Sequence, residues 1–160
     1  MTLYILRHGI AEDAAIGQSD DSRKLTEEGR KKTRRVMARA ARAEVNPDVI
    51  LTSPYPRALA TAEIAKEELR FTGDLINTEQ LVPYANVFEL WEEIRNYSQA
   101  DEIMVVGHNP LLCDLATWLI GGRGGAIMMK KAALAAIEIA YVSPQPRGSL
   151  MWLLTPKSAG

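Results

Sequence analysis

The 160-residue chain reads as an α/β protein, and three observations carry that reading. Three short, predominantly apolar runs, Leu3–Leu6, Val49–Thr52 and Ile103–Val106, have the continuous hydrophobicity of buried strands. Each run stops abruptly at polar residues joined to a turn or a helix-start signal. The segments between the runs carry helical patterning, the alternation expected of helices packed on a largely parallel sheet.

Composition narrows the class. Hydrophobic residues make up 47% and charged residues 24%, the balance of a globular chain able to bury one real core. A net charge of -1 argues against a dedicated nucleic-acid or membrane-surface binder. Cys113 is the only cysteine, so no disulfide framework forms within the chain, which suits a reducing compartment. Arg7 and His8 interrupt the first apolar segment too early for a secretory signal, and no apolar run approaches the ~18 residues of a membrane span. A single cytoplasmic domain over residues 1–160, with neither nucleic-acid nor membrane partners, is expected.

In chain order, Gly9 closes the first strand, where a missing Cβ permits a sharp turn. Ile10–Lys24, rich in Ala, Asp, Ser and Gly, is a loop over the strand end. Thr26 caps a helix whose Glu27 and Glu28 favour its positive terminus. Arg30, Lys31, Lys32, Arg34, Arg35, Arg39 and Arg42 form the solvated face of that helix, opposite Val36, Met37, Ala40 and Ala41. A docking patch for an acidic partner is the less favoured reading, because no aromatics are interleaved and the chain as a whole is not basic. After Val49–Thr52, Ser53 as N-cap and Pro54 at the first helical position open a helix to about Leu69, with Arg57 in its first turn.

Leu75–Val82 is an edge-strand candidate, Pro83–Asn86 a turn, and Val87–Tyr97 a helix with Val87, Leu90, Trp91 and Ile94 inward. The run Ile103–Val106 ends in Gly107-His108-Asn109-Pro110, where Asn109 caps and Pro110 begins a helix to about Ile120. Cys113 within it is a small packed hydrophobe. Gly121–Gly125 makes a helix C-cap and connection, Ala132–Tyr141 and Ser149–Leu154 form two joined strands, and Pro156–Gly160 is a frayed end.

The three strand ends deliver Arg7-His8-Gly9, Ser53-Pro54-Tyr55-Pro56-Arg57 and Gly107-His108-Asn109. If the strands are adjacent and parallel, these residues converge on the sheet edge where α/β proteins bind ligands. Two arginines, both of the chain's histidines and two helix N-termini describe a site for a multiply charged oxyanion, with phosphate the leading candidate. A metal is disfavoured: two histidines without a further ligand at suitable spacing are weak evidence, and Arg7 and Arg57 repel a cation. The available nucleophile is a histidine, largely neutral at pH 7 with its unperturbed pKa of ~6.5.

Four segments resemble the histidine phosphatase (phosphoglycerate-mutase-like) superfamily. Leu6-Arg7-His8-Gly9 is similar to its RHG signature, and Arg23-Lys24-Leu25-Thr26-Glu27-Glu28-Gly29 to its RPLTxxG segment. Ser53 to Ala62 is similar to its SPxxRAxxTA segment, and Val106-Gly107-His108-Asn109 to its second-histidine motif. Order and spacing agree along nearly the whole chain, and the short length resembles the SixA-type phosphohistidine phosphatases. The resemblance implies a three-layer αβα sandwich with a mostly parallel, mixed central sheet and no cap insertion. It implies that His8 attacks phosphorus and carries the phosphoryl group transiently, while Arg7, Arg57 and His108 hold its oxygens. Gly9, Arg23 and Asn109 are further phosphate-binding candidates. The implied substrate is a phosphohistidine-bearing signalling or phosphotransfer protein, inorganic phosphate is the product, and no metal or cofactor is expected.

Two positions depart from the family pattern. Ile10-Ala11 follows the RHG where many relatives place a polar phosphate ligand, and Pro83 stands where many place their general acid. Glu79, Glu12 and Asp13 are the carboxylates near enough in sequence to substitute. The alternatives to a phosphohistidine phosphatase are a small-molecule phosphomonoesterase on the same scaffold and a non-catalytic phosphate-binding module.

Overall fold

Side chains alternate across a strand, so strands covered on both faces sort their residues into two separate cores. The computed structural model describes residues 1–160. Its strands are β1 (Thr2–Arg7), β2 (Val49–Thr52), β3 (Leu75–Asn77), β4 (Glu102–Gly107), β5 (Leu134–Tyr141) and β6 (Arg147–Leu154). The helices are α1 (Glu27–Arg42), α2 (Pro56–Glu68), α3 (Val87–Arg95) and α4 (Leu111–Leu119). One six-stranded sheet has the order β3-β2-β4-β1-β5-β6. The first four in that order run parallel, while β5 and β6 are antiparallel to their neighbours.

Tyr4, Leu6, Ile50, Met104 and Val106 pack on one face against Val36, Met37 and Ala40 of α1 and Ala62 and Ala65 of α2. Leu3, Ile5, Leu51, Ile103 and Val105 pack on the other against Leu90, Trp91 and Ile94 of α3 and Leu112 and Leu115 of α4. The expected three-layer αβα sandwich is therefore present, with only β3, a 3₁₀ turn at Glu79–Leu81 and α3 between α2 and β4, and no cap. No helix is long and apolar enough to cross a membrane.

Several boundaries differ from the sequence expectation. The second proline of Ser53-Pro54-Tyr55-Pro56 takes the first helical turn, and Tyr55 is the N-cap. Ser53 Oγ instead accepts from the Tyr55 amide at 3.2 Å in the preceding turn. Asn109 does not cap α4: its amide donates to Met129 O at 3.1 Å, and Pro110 is the N-cap. The strand expected over Leu75–Val82 stops at Asn77, because Thr78 caps a 3₁₀ turn through the Gln80 amide. Asn86 caps α3 by accepting from Phe88 and Glu89 amides. Pro156–Gly160 is not frayed: the Ala159 amide donates to Thr155 O at 2.9 Å, and Ala159 packs against the α1–α2 core.

Gly29 shows how closely α1 is docked. A Cβ there would lie 2.2 Å from Ile10 O. That carbonyl already accepts from the Thr26 amide at 2.9 Å and from Thr26 Oγ1 at 3.1 Å. Gly-to-Ala in a helix is normally favourable by roughly 1 kcal/mol. At this position the backbone must shift, so Gly29→Ala is expected to destabilise by roughly 1–3 kcal/mol, the scale of overpacking. Urea unfolding with an unchanged m-value is the check; a stabilised variant would show that Ile10 yields freely.

Candidate active site

Arg7 of β1 pairs with Gly107 of β4, so His8 and His108 leave neighbouring parallel strands side by side. Their ring centroids are 4.9 Å apart. The backbone at His8 is fixed on both sides, its amide donating to Gly107 O and its carbonyl accepting from the Ala132 amide, both at 3.0 Å. His8 is 5% and His108 1% exposed. His8 Nδ1 lies 2.7 Å from Gly9 O. A carbonyl only accepts, so Nδ1 carries the proton and Nε2 keeps its lone pair.

Burial pushes His8 down to about 3, and the charges of Arg57, Arg7 and Lys131 add to that against the opposing bond to Gly9 O. His108 is likewise pushed down to about 3 by burial first, then by His8, Arg57 and Arg7. Both imidazoles are neutral at pH 7. His108 Nε2 is 2.8 Å from Ser53 Oγ, which ties the second histidine to the end of β2.

The two guanidiniums are held differently. Arg7 donates through Nη1 to Met129 O at 2.8 Å and lies at the end of the central strand, where burial lowers its pKa. Arg57 is 3% exposed and donates through Nη2 to Asp20 Oδ2 at 2.8 Å and through Nη1 to Asp20 O. Its guanidinium carbon sits 5.3 Å from the Tyr55 ring centroid, and Tyr55 meets His108 edge-on. Arg7 Nε, Arg57 Nε, His108 Nδ1 and Asn109 Oδ1 are buried without a hydrogen-bond partner in the protein. Buried polar atoms are rarely left so. Both Nε atoms are charged donors, suited to an acceptor-rich anion such as a phosphoryl group. A neutral imidazole with a free Nε2 beside these cations and the N-termini of α2 and α4 has the equipment to attack phosphorus.

The family profile of the histidine phosphatase superfamily (branch 1) matches residues 3–82. This chain belongs to that superfamily. A protein of Picosynechococcus sp., described as uncharacterized, is 32% identical over 98% of both chains. The structure of the protein histidine phosphatase SixA complexed with tungstate superposes with a TM-score of 0.87 at 27% identity, covering 100% of both chains. A protein named SixA from Agrobacterium tumefaciens shares the fold with a TM-score of 0.84 at 24% identity over 97% of both chains.

In this histidine phosphatase, the sheet brings Arg7, His8, Arg57, His108 and Asn109 together, while Gly9 and Arg23 are engaged elsewhere. The Gly9 amide donates to Thr61 Oγ1 at 3.1 Å. Gly9 has no left-handed backbone; a Cβ there would meet Thr33 Oγ1 at 2.7 Å and Gly29 O at 3.0 Å, so close packing of α1 requires the glycine, not turn geometry. Arg23 donates through Nε to Glu12 O at 2.6 Å and through Nη1 to Asp20 Oδ1 at 2.8 Å, one step behind Arg57. Glu12, Asp13 and Glu79 are exposed, and Pro83 is buried.

Three residues escaped the sequence reading. Ser53 and Thr61 were visible in the motif around Arg57, as polar residues at a strand end and on the inner face of a helix, but their partners, His108 and Gly9, lie just past the ends of β4 and β1. Asp20 carried no signal, being one of several polar residues in a long loop. Arg23, first among the causes, and Arg57 hold its carboxyl below the usual range.

Histidines whose pKa is lowered by folding make stability depend on acid. Between about pH 3 and 6.5 the unfolded state binds protons that the folded state refuses, so stability rises with pH through that window and is lost on acidification. The slope reaches at most roughly 1.4 kcal/mol per pH unit per histidine. Urea midpoints measured from about pH 6.5 down to 5, above most carboxylate titration, should fall steeply in the wild type and less in His108→Gln. Equal slopes would place the titration elsewhere. Asp20 already occupies Arg57, so if phosphate binds there, Asp20→Ala should tighten inhibition by inorganic phosphate several-fold; weaker inhibition would make Asp20 a positioning residue for Arg57.

Proposed function

We propose that this histidine phosphatase removes the phosphoryl group from phosphohistidine on a partner protein, through a covalent intermediate on His8. His8 Nε2 forms a bond to phosphorus as the P–N bond of the substrate ring, protonated on its other nitrogen, breaks; the ring departs as neutral imidazole with the electron pair. Water then cleaves the phosphoenzyme and releases inorganic phosphate. Arg7, Arg57 and His108 stabilise the charge that spreads over the transferring group, the main lever in phosphoryl transfer. Asn109 orients the Arg7 side of the site through their shared acceptor, Met129 O.

The observation that carries the substrate class is the state of Asp20. It is the carboxylate hydrogen-bonded within the site, and its two arginine partners keep it ionised, so it is a poor proton donor. Pro83 offers no proton either. An alcohol leaves as an alkoxide whose conjugate acid has a pKa of ~15, near that of water, so an ester needs a general acid. A phosphohistidine ring protonated on its other nitrogen expels neutral imidazole, whose conjugate acid has a pKa of only ~6.5. Without general acid catalysis, worth roughly 10²–10⁴-fold, esters are penalised far more than N–P substrates.

At equal enzyme concentration, kcat/KM for a phosphohistidine protein is expected to exceed that for an alkyl phosphomonoester by at least about 10². Comparable values would transfer the assignment to a small-molecule phosphomonoesterase. Rapid quench should trap an acid-labile, base-stable phosphoenzyme that is absent in His8→Ala, and retention of turnover by that variant would remove His8 from the mechanism. Loss of Arg7, Arg57 or His108 should each cost roughly 10²–10³ in kcat. Chelators should leave the rate unchanged, and an EDTA-sensitive activity restored by zinc would replace this mechanism with a metal-assisted one.

A further inference from the structure

Beside the site lies an open cleft of about 810 Å³, and six of its nine lining residues are cationic. Arg7 lines the end nearest His8. Lys32 and Arg35 of α1, Lys130 and Lys131 of the turn before β5, and Lys157 of the C-terminal turn line the rest. No carboxylate borders the cleft, and Lys32 alone among these six has an ion-pair partner, Glu28 at 2.6 Å.

The segments that bear these cations are anchored through the backbone. The Ala132 amide donates to His8 O at 3.0 Å, the Ala133 amide to Lys130 O at 2.9 Å, and Arg7 Nη1 to Met129 O at 2.8 Å. The Lys130-Lys131 turn is therefore anchored to the strand end that bears the candidate nucleophile, and the charge of Lys131 is felt at His8. Lys157 lies in a turn closed by the Ala159 amide on Thr155 O. Segments distant in sequence thus place unpaired positive charge in one groove of a chain whose net charge is only -1. Such a concentration raises local potential and attracts a complementary anion.

We propose that this cleft binds a carboxylate-rich polypeptide segment, which in the substrate lies beside the phosphorylated residue; that placement rests on the phosphohistidine-protein reading above. The chemistry of the lining selects this partner. No aromatic side chain is present to stack on bases, which disfavours single-stranded nucleic acid. Four of the six cations are lysines, mobile point charges suited to separate carboxylates, where planar arginine forks would favour bidentate phosphates. The volume exceeds the need of one phosphate and falls in the range of sites that take larger ligands.

The test uses a fluorescein-labelled Glu-rich decapeptide without phosphate, the wild-type chain and the double variant Arg35→Ser/Lys157→Ser. Anisotropy should report salt-sensitive binding to the wild type, weakened roughly five- to tenfold in the variant, the scale of two partly screened ion pairs. Two phosphohistidine peptides, identical except for Glu or Ser flanks, should differ in kcat/KM by a ratio that shrinks by the same factor in the variant. No decapeptide binding at low salt, or binding indifferent to the substitutions, overturns the proposal. So does inorganic tripolyphosphate bound in the decapeptide's stead and lost in the variant, which would assign the cleft to a small polyanion. Decapeptide binding lost in the variant, with neither phosphohistidine peptide turned over, upholds the cleft and overturns only the substrate reading.

Discussion

The parallel register of β1 against β4 sets where both histidines emerge. Arg7 stands opposite Gly107, so the next residue of each strand is a histidine, and the two rings meet at 4.9 Å. A slip of one residue would turn Arg7 and every apolar side chain of β1 to the wrong face. The register is secured by burial on both faces: Leu3, Ile5 and Leu6 of β1 and Ile103 through Val106 of β4 are 0% exposed. It is extended past the strands by backbone bonds. The Ser53 amide donates to Val106 O at 2.9 Å and the His8 amide to Gly107 O at 3.0 Å, so three strand ends are locked into one ledge.

That ledge gathers positive charge where solvent is scarce. Arginine does not give up its proton in proteins, so the histidines are the groups that yield. Burial and the neighbouring guanidiniums keep both imidazoles neutral. The bond from Nδ1 to Gly9 O then decides which nitrogen of His8 is free. The same crowding that keeps the imidazoles uncharged makes the pocket attractive to a dianion. The neutrality of both imidazoles thus comes first from burial and then from the same guanidiniums that line the pocket.

Most of the elements were legible in the sequence because they rest on local signals, while the layering and the mixed sheet came from the family resemblance. Continuous apolar runs marked β1, β2 and β4, and Thr26 marked the start of α1 as the structure has it. The errors fell where local signals compete. Ser53 satisfied the rule for an N-cap, but His108, just past the end of β4, shares its hydroxyl. Asn109 satisfied it too, and Met129 twenty residues away took its amide. The position of Gly9 was read from backbone freedom, whereas the packing of Thr33 and Gly29 is what excludes a side chain. The basic face of α1 was read as uniformly solvated. Its Arg34 is indeed paired on the surface with Glu67 and Glu68, yet Lys32 and Arg35 border the cleft by the site. No periodicity in one helix reveals that two turns from elsewhere complete a groove with it.

The two arginines meet the problem of buried charge in opposite ways, and the difference gives the site a direction. A guanidinium as buried as Arg57 needs an anionic partner. Asp20 supplies one from the loop after β1, and Arg23 in turn holds Asp20. On that side of the pocket positive charge is already answered by a carboxylate. Arg7 has only the neutral carbonyl of Met129, and the lysines beyond it lack carboxylates with the exception of Lys32. The unanswered field therefore extends outward along the Arg7 side, through Lys131 toward Lys157. Asp20 is thus the counterion of Arg57 on one side of the pocket, while the Arg7 side is left without one.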